Sequence, residues 1–410
     1  MRIKIVTISY YPDLIGIAPL ADDLSRGLLE RGHQVSVIAG LPHYPSWEVP
    51  KEYKRHPFRR EVRHGGVIVW RSYLHASKRA TVLARSIFYG SFTASAAFNL
   101  MRSGPADVVL VISPPPTLNL AASLFRRFGG AAVVLNVQDI VPDAPIAFGM
   151  MTNPLQIRLF RWLERYAYSS SDHIVVVADS FVTNLRAKGV PTDKLSVIHN
   201  WVDTDEVRPL ERMNSFRREH GIAEESFVVM YAGNIGLSQG LEMVLEAADR
   251  LRSEDGIAFV LVGGGASLPD LRATAQAMAL PNVRFLPTQP EMKWVQAAAD
   301  VSLVVQRSNV LDVNLPSKIP VIMASGRPMI AGLNPAGDAA AIVRHADCGL
   351  LTEPGNSAEL AEAVCRLRDS GELRRRFAEN GRHFAETHFS RGSALDAYQK
   401  VLEEAVAQSA

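Results

Sequence analysis

The sequence predicts an α/β protein of two successive βα domains, and three observations predict it. Apolar runs of strand length recur along the 410 residues and alternate with segments of helical period. The runs are near-continuous rather than strictly alternating, which suits parallel strands buried on both faces. One charged stretch, "DTDEVRPLERMNSFRREHGIAEES" (203–226), interrupts the pattern once, as a linker between two domains would.

In the first half the strands are "IKIVTISY" (3–10), "QVSVIAG" (34–40), "VIVWRSY" (67–73), "DVVLVIS" (107–113), "AAVVLNV" (131–137), "HIVVVAD" (173–179) and "LSVIHNW" (195–201). Helical patterns lie between them, among them "APLADDLSRGLLERG" (18–32), where Gly32 is placed as a C-terminal stop. The uncharged stretch "SIFYGSFTASAAFNLM" (86–101) has 16 residues, short of the ~20 that span a bilayer, and reads as a core or interfacial helix. The run 108–125 is also uncharged, but Pro114, Pro115 and Pro116 in series break any spanning helix, so no transmembrane helix is expected.

After the linker the plan repeats, with strands "FVVMYAG" (227–233), "AFVLVGG" (258–264), "VRFLP" (283–287), "VSLVVQ" (301–306), "PMIAGL" (328–333) and "CGLLTEP" (348–354), and a last helix at "SALDAYQKVLEEAVAQ" (393–408). The organisation expected is therefore a first domain over 1–205, a second over 206–392 and a C-terminal helix over 393–410. Such sheets bind ligands beyond the C-terminal ends of their strands, so two such domains are expected to face one another across a ligand cleft.

Composition narrows the function. With 47% hydrophobic and 21% charged residues the chain is neither disordered nor of low complexity. Its net charge of +2 is unevenly placed: residues 1–200 hold 23 Lys+Arg against 14 Asp+Glu, and residues 201–410 hold 21 against 28. The first half should prefer anionic surroundings. Cys348 and Cys365 are too few for a disulfide scaffold or a thiolate metal site, which fits a reducing cytoplasm. Pro12 and Asp13 break the start "MRIKIVTISYYPD" before a signal-peptide apolar segment forms.

Three stretches carry candidate chemistry. In "NLPSKIPVIMASGR" (314–327), Pro316 suits the first turn of a helix that stops at Gly326, which puts Lys318 at the helix start. That end is already positive, so Ser317, Lys318 and the backbone N–H groups there suit a diphosphate; a solvated surface lysine is the plain alternative. In "YAGNIGLSQGLE" (231–242), a strand ends at Gly233, a loop carries Gly236 and Gly240, and a helix opens near Ser238 or Gln239. An ordinary βα turn uses the same residues. In "FVLVGGGASLPDL" (259–271), Gly263 and Gly265 match the start of G-x-G-x-x-G, but Leu268 occupies the third glycine's place. No P-loop and no clustered His/Cys metal pattern occurs.

Taken in order, "YYPDLIGIAPLADDLSRGLLERGHQVSVI" (10–38), "VIHNWVD" (197–203), "YAGNIGLSQGLE", "LVGGG" (261–265), "PSK" with "MASGRPMIA" (323–331) and "CGLLTEPGNSAELAEAV" (348–364) resemble a retaining GT-B glycosyltransferase of the family-four type over essentially the whole chain. The likeness is greatest to the branch building bacterial exopolysaccharide, O-antigen and colanic acid. The resemblance implies two Rossmann-like domains facing across a cleft, with the C-terminal helix packing back on the first. It implies a nucleotide sugar on the second domain, UDP ahead of GDP, an acceptor on the first, no cofactor and no metal.

Carried over by position, Gly16 faces the donor, and Gly233, Asn234, Gly236, Gln239, Gly263, Gly264, Ser317 and Lys318 form the donor site. Asn234 and Gln239 stand where many relatives have Arg and Lys, which shifts the cationic burden to Lys318. Two glutamates that relatives carry are replaced by Val313 and Val321, and Asp312 beside the first can take over contact with donor hydroxyls. The His-Asp pair of relatives is here Gln138-Asp139, which leaves Asp139 as the catalytic carboxylate, with Asp143 and His43 on the acceptor side. Capping a turn is the structural alternative for both aspartates, and a lone loop histidine such as His43 is more often just solvated. In the mechanism the resemblance implies, the departing diphosphate helps deprotonate the acceptor.

The segment "PKEYKRHPFRREVRHGG" (50–66) interleaves cations with Tyr53 and Phe58 and, with Lys78, Arg79 and Arg85, precedes the apolar 86–101 stretch. This suits peripheral docking on the anionic cytoplasmic face of the inner membrane and a lipid-linked saccharide acceptor. Nothing reads as a nucleic-acid module. A sugar-nucleotide epimerase of the same plan, or a non-catalytic sugar-nucleotide binder, are the rival readings.

Overall fold

A computed structural model describes the chain except residues 14, 15, 45, 79, 80, 148–150, 309–315 and 410. It divides into two compact units, Met1–His199 with Ala394–Ala410, and Asn200–Ser393.

The first unit is built on an eight-stranded sheet of β1 (Arg2–Thr7), β2 (Gln34–Gly40), β3 (Arg60–Val62), β4 (Ile68–Ser72), β5 (Val108–Ser113), β6 (Ala132–Val137), β7 (His173–Val176) and β8 (Leu195–Val197). Their order is β3-β4-β2-β1-β5-β6-β7-β8, parallel except where β3 runs antiparallel to β4. The near-continuous apolar runs are explained by burial: β5 and β6 are buried at every residue, with helices covering the sheet. Gly32 has φ +84 just past the helix Ala18–Glu30, the stop that the sequence predicts. The 86–101 stretch lies in the helix Val82–Arg102, and among the described residues no helix is long and apolar enough to cross a membrane.

The basic 50–66 segment is more structured than a loop, since it holds a short helix, Lys51–Lys54, and the edge strand β3. The cause is Arg71, which has no exposed surface. Its Nε donates to Glu61 Oε1 at 2.6 Å and its other N–H groups donate to the carbonyls of Gly40 and Tyr11, so a buried cation pins the segment through a β3 carboxylate.

The C-terminal helix, Arg391–Ser409, packs back on the first unit. Leu395 lies so close to Gly27 that a Cβ there would come within 2.5 Å of it, and Arg31 pairs with Asp396 at 2.6 Å. At the centre Asn136 Nδ2 donates to the buried Tyr398 Oη at 2.8 Å. Tyr398→Phe should therefore leave a buried donor unmatched and lower unfolding free energy in urea by about 1–3 kcal/mol; an unchanged midpoint would remove this bond from the account.

The second unit holds β9 (Phe227–Ala232), β10 (Ile257–Val262), β11 (Val283–Leu286), β12 (Val301–Val305), β13 (Met329–Gly332) and β14 (Gly349–Thr352), all parallel, in the order β11-β10-β9-β12-β13-β14. The order reverses between β9 and β12, the switch point at which doubly wound sheets open a crevice beyond their C-terminal strand ends. Tyr231, Leu261, Leu303 and Ile330 share one core with the helices Glu242–Arg250 and Ser357–Asp369.

The charged 203–226 stretch is part of this unit rather than a solvated linker. It contains the helix Ser215–Glu219, capped by Asn214, and Arg217 is wholly buried. Arg217 donates to Asp300 Oδ2 at 2.6 Å and to the carbonyls of Ala298, Ala223 and Ser226, so a charge that reads as surface is satisfied inside.

Candidate functional site

The second unit gathers most of the donor-site residues around one lysine. Lys318 opens the helix Lys318–Ala324, at the positive end of its dipole, and Ser317 is the exposed N-cap residue whose hydroxyl caps no N–H. The lysine side chain reaches the C-terminal end of β9, where Nζ donates to Tyr231 Oη at 2.9 Å and to Gln239 Oε1 at 3.1 Å. Nζ also lies 4.0 Å from the Tyr231 ring centroid. Tyr231 in turn donates to the Asn234 carbonyl at 2.6 Å. Among the described residues these partners are all neutral. Burial without a counter-charge pushes the Lys318 ammonium from its ordinary 10.5 down to about 7.

Gln239 is presented by a 3-10 turn, Leu237–Gln239, which Gly240 closes at φ +61. The helix after β9 therefore starts at Glu242, later than the sequence predicts, because the left-handed Gly240 ends one turn before the next begins. Arg307, just past β12, donates its backbone N–H to Ser238 O at 3.0 Å and pairs with Glu242 at 2.5 Å. Tyr231, which bonds Lys318, and Arg307, which bonds the Gln239 turn, are neighbours of the candidate site that sequence reasoning did not single out; their signal was position alone, at or near the ends of the two switch-point strands.

Gly233 lies beneath the lysine, where a Cβ would come within 3.6 Å of Nζ. Gly263 abuts Gly233 directly, Gly264 is open and exposed, and Asn234 and Gly236 stand side by side on the turn. Asp312 and Val313 lie outside the described residues. Val321 sits half-buried in the helix that Lys318 opens.

In the first unit Gly16 follows β1, exposed at φ +71 with open space around it. Asp139 lies two residues past β6 and close enough to Tyr89 that its charge adds to the burial that pushes this phenol up. Gln138 donates to Asn136 Oδ1 at 2.6 Å and so joins the Asn136–Tyr398 bond.

His43 is not a solvated loop histidine. It is 4% exposed, packed against Trp47 and Phe88, with Nδ1 2.8 Å from Leu41 O and 3.7 Å from Asp13 Oδ2. Its N–H and that of Tyr44 donate to Asp13 Oδ1 at 3.2 and 3.3 Å. Burial lowers the His43 pKa and raises that of Asp13, each held back by the other's charge. Asp143 is committed elsewhere, to Lys188 at 2.7 Å and Asn184 at 3.1 Å.

A cavity of about 630 Å³ opens beyond the C-terminal ends of β2 and β4, walled by Trp47, Tyr73, Leu74 and His75, with Lys78 paired to Glu48 at 2.9 Å. Among the described residues no three His, Cys, Asp or Glu side chains cluster as a metal would require.

Residues 16–201 match the family described as a glycosyl transferase 4-like domain, and residues 213–384 match glycosyl transferases group 1. A protein of Escherichia coli (strain K12) named as colanic acid biosynthesis glycosyl transferase WcaI is 32% identical over 335 residues, 80% of this chain and 82% of its own. The chain belongs to the family-four type of GT-B glycosyltransferases. The O-antigen chain mannosyltransferase C of Escherichia coli is 25% identical over 97% of both chains. In fold, the glycosyltransferase matches HepE of Anabaena, solved in complex with UDP, with a TM-score of 0.74 at 16% identity over 98% of this chain and 100% of that one. These relatives are named for sugar transfer, so the epimerase reading finds no support.

Proposed function

We propose that this glycosyltransferase moves a sugar from a nucleoside-diphosphate sugar, UDP-linked ahead of GDP-linked, to a hydroxyl of a lipid-linked saccharide during surface-polysaccharide assembly. Transfer proceeds with retention, without a metal, at the anionic cytoplasmic face of the membrane. One observation carries the donor half: Lys318 is a half-buried cation at a helix start whose described partners are all neutral, a site short of one negative charge. The relatives named for colanic acid and O-antigen, and the UDP in HepE, support the substrate classes.

In this reading a diphosphate oxygen meets Lys318 Nζ, while Ser317 and the first N–H groups of its helix take the others. The bond from the sugar's anomeric carbon to the diphosphate breaks, the acceptor oxygen bonds that carbon from the same face, and the acceptor proton passes to the departing diphosphate. Lys318 balances the charge that develops on the leaving group. Asp139 orients the acceptor hydroxyl, His43 shapes the acceptor side, and the walls of Trp47 and Tyr73 offer flat apolar faces to a saccharide.

The test is ligand-induced stabilisation of the purified protein with UDP, GDP, ADP and their sugars, where a shift that grows with concentration identifies the donor class. Stabilisation by no nucleotide would sink the donor reading. Proton linkage adds a second check. Burial lowers the Lys318 pKa to about 7, and a bound diphosphate raises it again. Binding should therefore take up a proton above pH ~7 and weaken as pH rises further, with no Lys318-linked uptake well below that value. Calorimetry at pH ~8 in two buffers of different ionisation enthalpy should show an uptake approaching one proton, absent in Lys318→Ala.

A further inference from the structure

The helices Val82–Arg102, Leu118–Gly129 and Pro154–Ser170 form one contiguous layer over the first unit's sheet. Thr93 Oγ1 bonds Thr117 Oγ1 at 2.7 Å at the first junction, and Asn119 Nδ2 donates to Ala167 O at 3.1 Å at the second. Soluble helices of this kind normally turn charged residues to water. These do not.

On the first helix the exposed positions Leu83, Ile87, Gly90, Ala94, Phe98 and Met101 recur at steps of three and four, one uncharged stripe along the whole helix, and Leu83 is 71% exposed. The second exposes Leu124 and Phe128, and the third exposes Leu155, Leu159 and Trp162 at steps of four and three, with Leu155 at 77%. The three helices contain seven arginines and a single carboxylate, Glu164. Glu164 is buried and paired with Lys188 at 2.5 Å, so it presents no charge outward. Arg158, Arg161 and Arg165 are exposed and interleave with the apolar side chains of the third helix. The basic 50–66 segment joins the same face, because Phe58 packs edge-on against Phe98 at 5.6 Å.

We infer that this three-helix face is where the enzyme docks on an anionic lipid bilayer, with the apolar stripes entering the headgroup boundary and the arginines meeting lipid phosphates. This deepens the lipid-linked acceptor reading and rests on it for its biological sense. The observation is larger than the sequence suggested: the 118–129 and 154–170 helices were not singled out by composition, and only their placement beside the 82–102 helix makes a continuous surface. Charge decides the occupant. A second copy of the chain seated on the same patch by two-fold symmetry would set arginines against arginines, whereas a lipid surface rich in phosphate complements them at every position.

The experiment is sedimentation of the full-length protein with vesicles of phosphatidylcholine alone and with about one third phosphatidylglycerol. The wild type should pellet with the anionic vesicles only and be released by salt. Arg158→Glu/Arg161→Glu/Arg165→Glu should lower partitioning at least about tenfold, and Leu159→Ser/Trp162→Ser should lower it too, which capture by charge alone would not show. Each variant's UDP-induced stabilisation serves as the folding control. Wild type that ignores anionic vesicles, a charge-reversed variant that still binds them, or a concentration-dependent dimer abolished by these substitutions would overturn the inference. Vesicle binding without any nucleotide stabilisation would instead sink the donor reading and leave the docking face standing.

Discussion

Lys318→Ala is expected to lower kcat/KM for sugar transfer by about 10²–10³, the usual cost of removing one preorganised group that stabilises developing charge. The protein should meanwhile stay folded. Lys318 lends the fold little, since its ammonium is held by two neutral neighbours, Tyr231 and Gln239, and burial has already pushed its pKa to about 7. Removing it frees Tyr231 and Gln239 to bond each other, whose Oη and Oε1 already stand 3.2 Å apart. The melting temperature should therefore stay within a few degrees of wild type or rise, and UDP should no longer raise it. Lys318→Arg separates charge from shape: a guanidinium restores the charge but does not fit the tight Nζ contacts over Tyr231, so partial recovery is expected. Full turnover by the alanine variant would remove Lys318 from the catalytic machinery.

The strands were legible because burial on both faces writes a continuous apolar run into the sequence, and β5, β6 and β9 are buried at every residue. What escaped was charge that folds inward. Arg217 reads as a solvated member of the linker and Arg71 as one polar position in a strand, yet each is fully buried and ties a charged segment into the structure, because composition does not report which carboxylate the fold brings to a cation. The place of Lys318 at a helix start was legible for the opposite reason: Pro316 and the apolar run after it mark the helix, and a cation at its positive end is a local conflict that singles the residue out as a candidate. Tyr231 was hidden, since a tyrosine inside an apolar strand looks like core. His43 was placed on the acceptor side with a solvated loop histidine as the alternative, and its burial was not legible, because its partner Asp13 lies thirty positions away and the cage of Trp47 and Phe88 is formed by the fold.

The glycine run 263–265 shows how a motif can be recognised and its residues still divide by role. Gly263 has φ +151, and a Cβ built on it would stand 1.9 Å from the Gly233 carbonyl oxygen, a distance no relaxation of a flexible side chain relieves because both partners are backbone. Gly263→Ala therefore combines strained backbone, about 1–3 kcal/mol, with overpacking of similar size, for an expected loss of about 2–6 kcal/mol in urea unfolding. The strain also has a direction. Gly233 must yield, and Gly233 lies 3.6 Å beneath Lys318 Nζ by the same measure, so UDP affinity should fall beyond what lost stability explains. Gly264→Ala is the matching control: nothing lies within 4 Å of its Cβ and its φ is outside the left-handed range, so unfolding should be nearly unchanged. A Gly264→Ala protein of normal stability with weakened UDP binding would place this open glycine against the ligand, whereas normal binding would confine the run to holding two βα loops together. A Gly263→Ala protein as stable as wild type would refute the backbone approach on which the division rests.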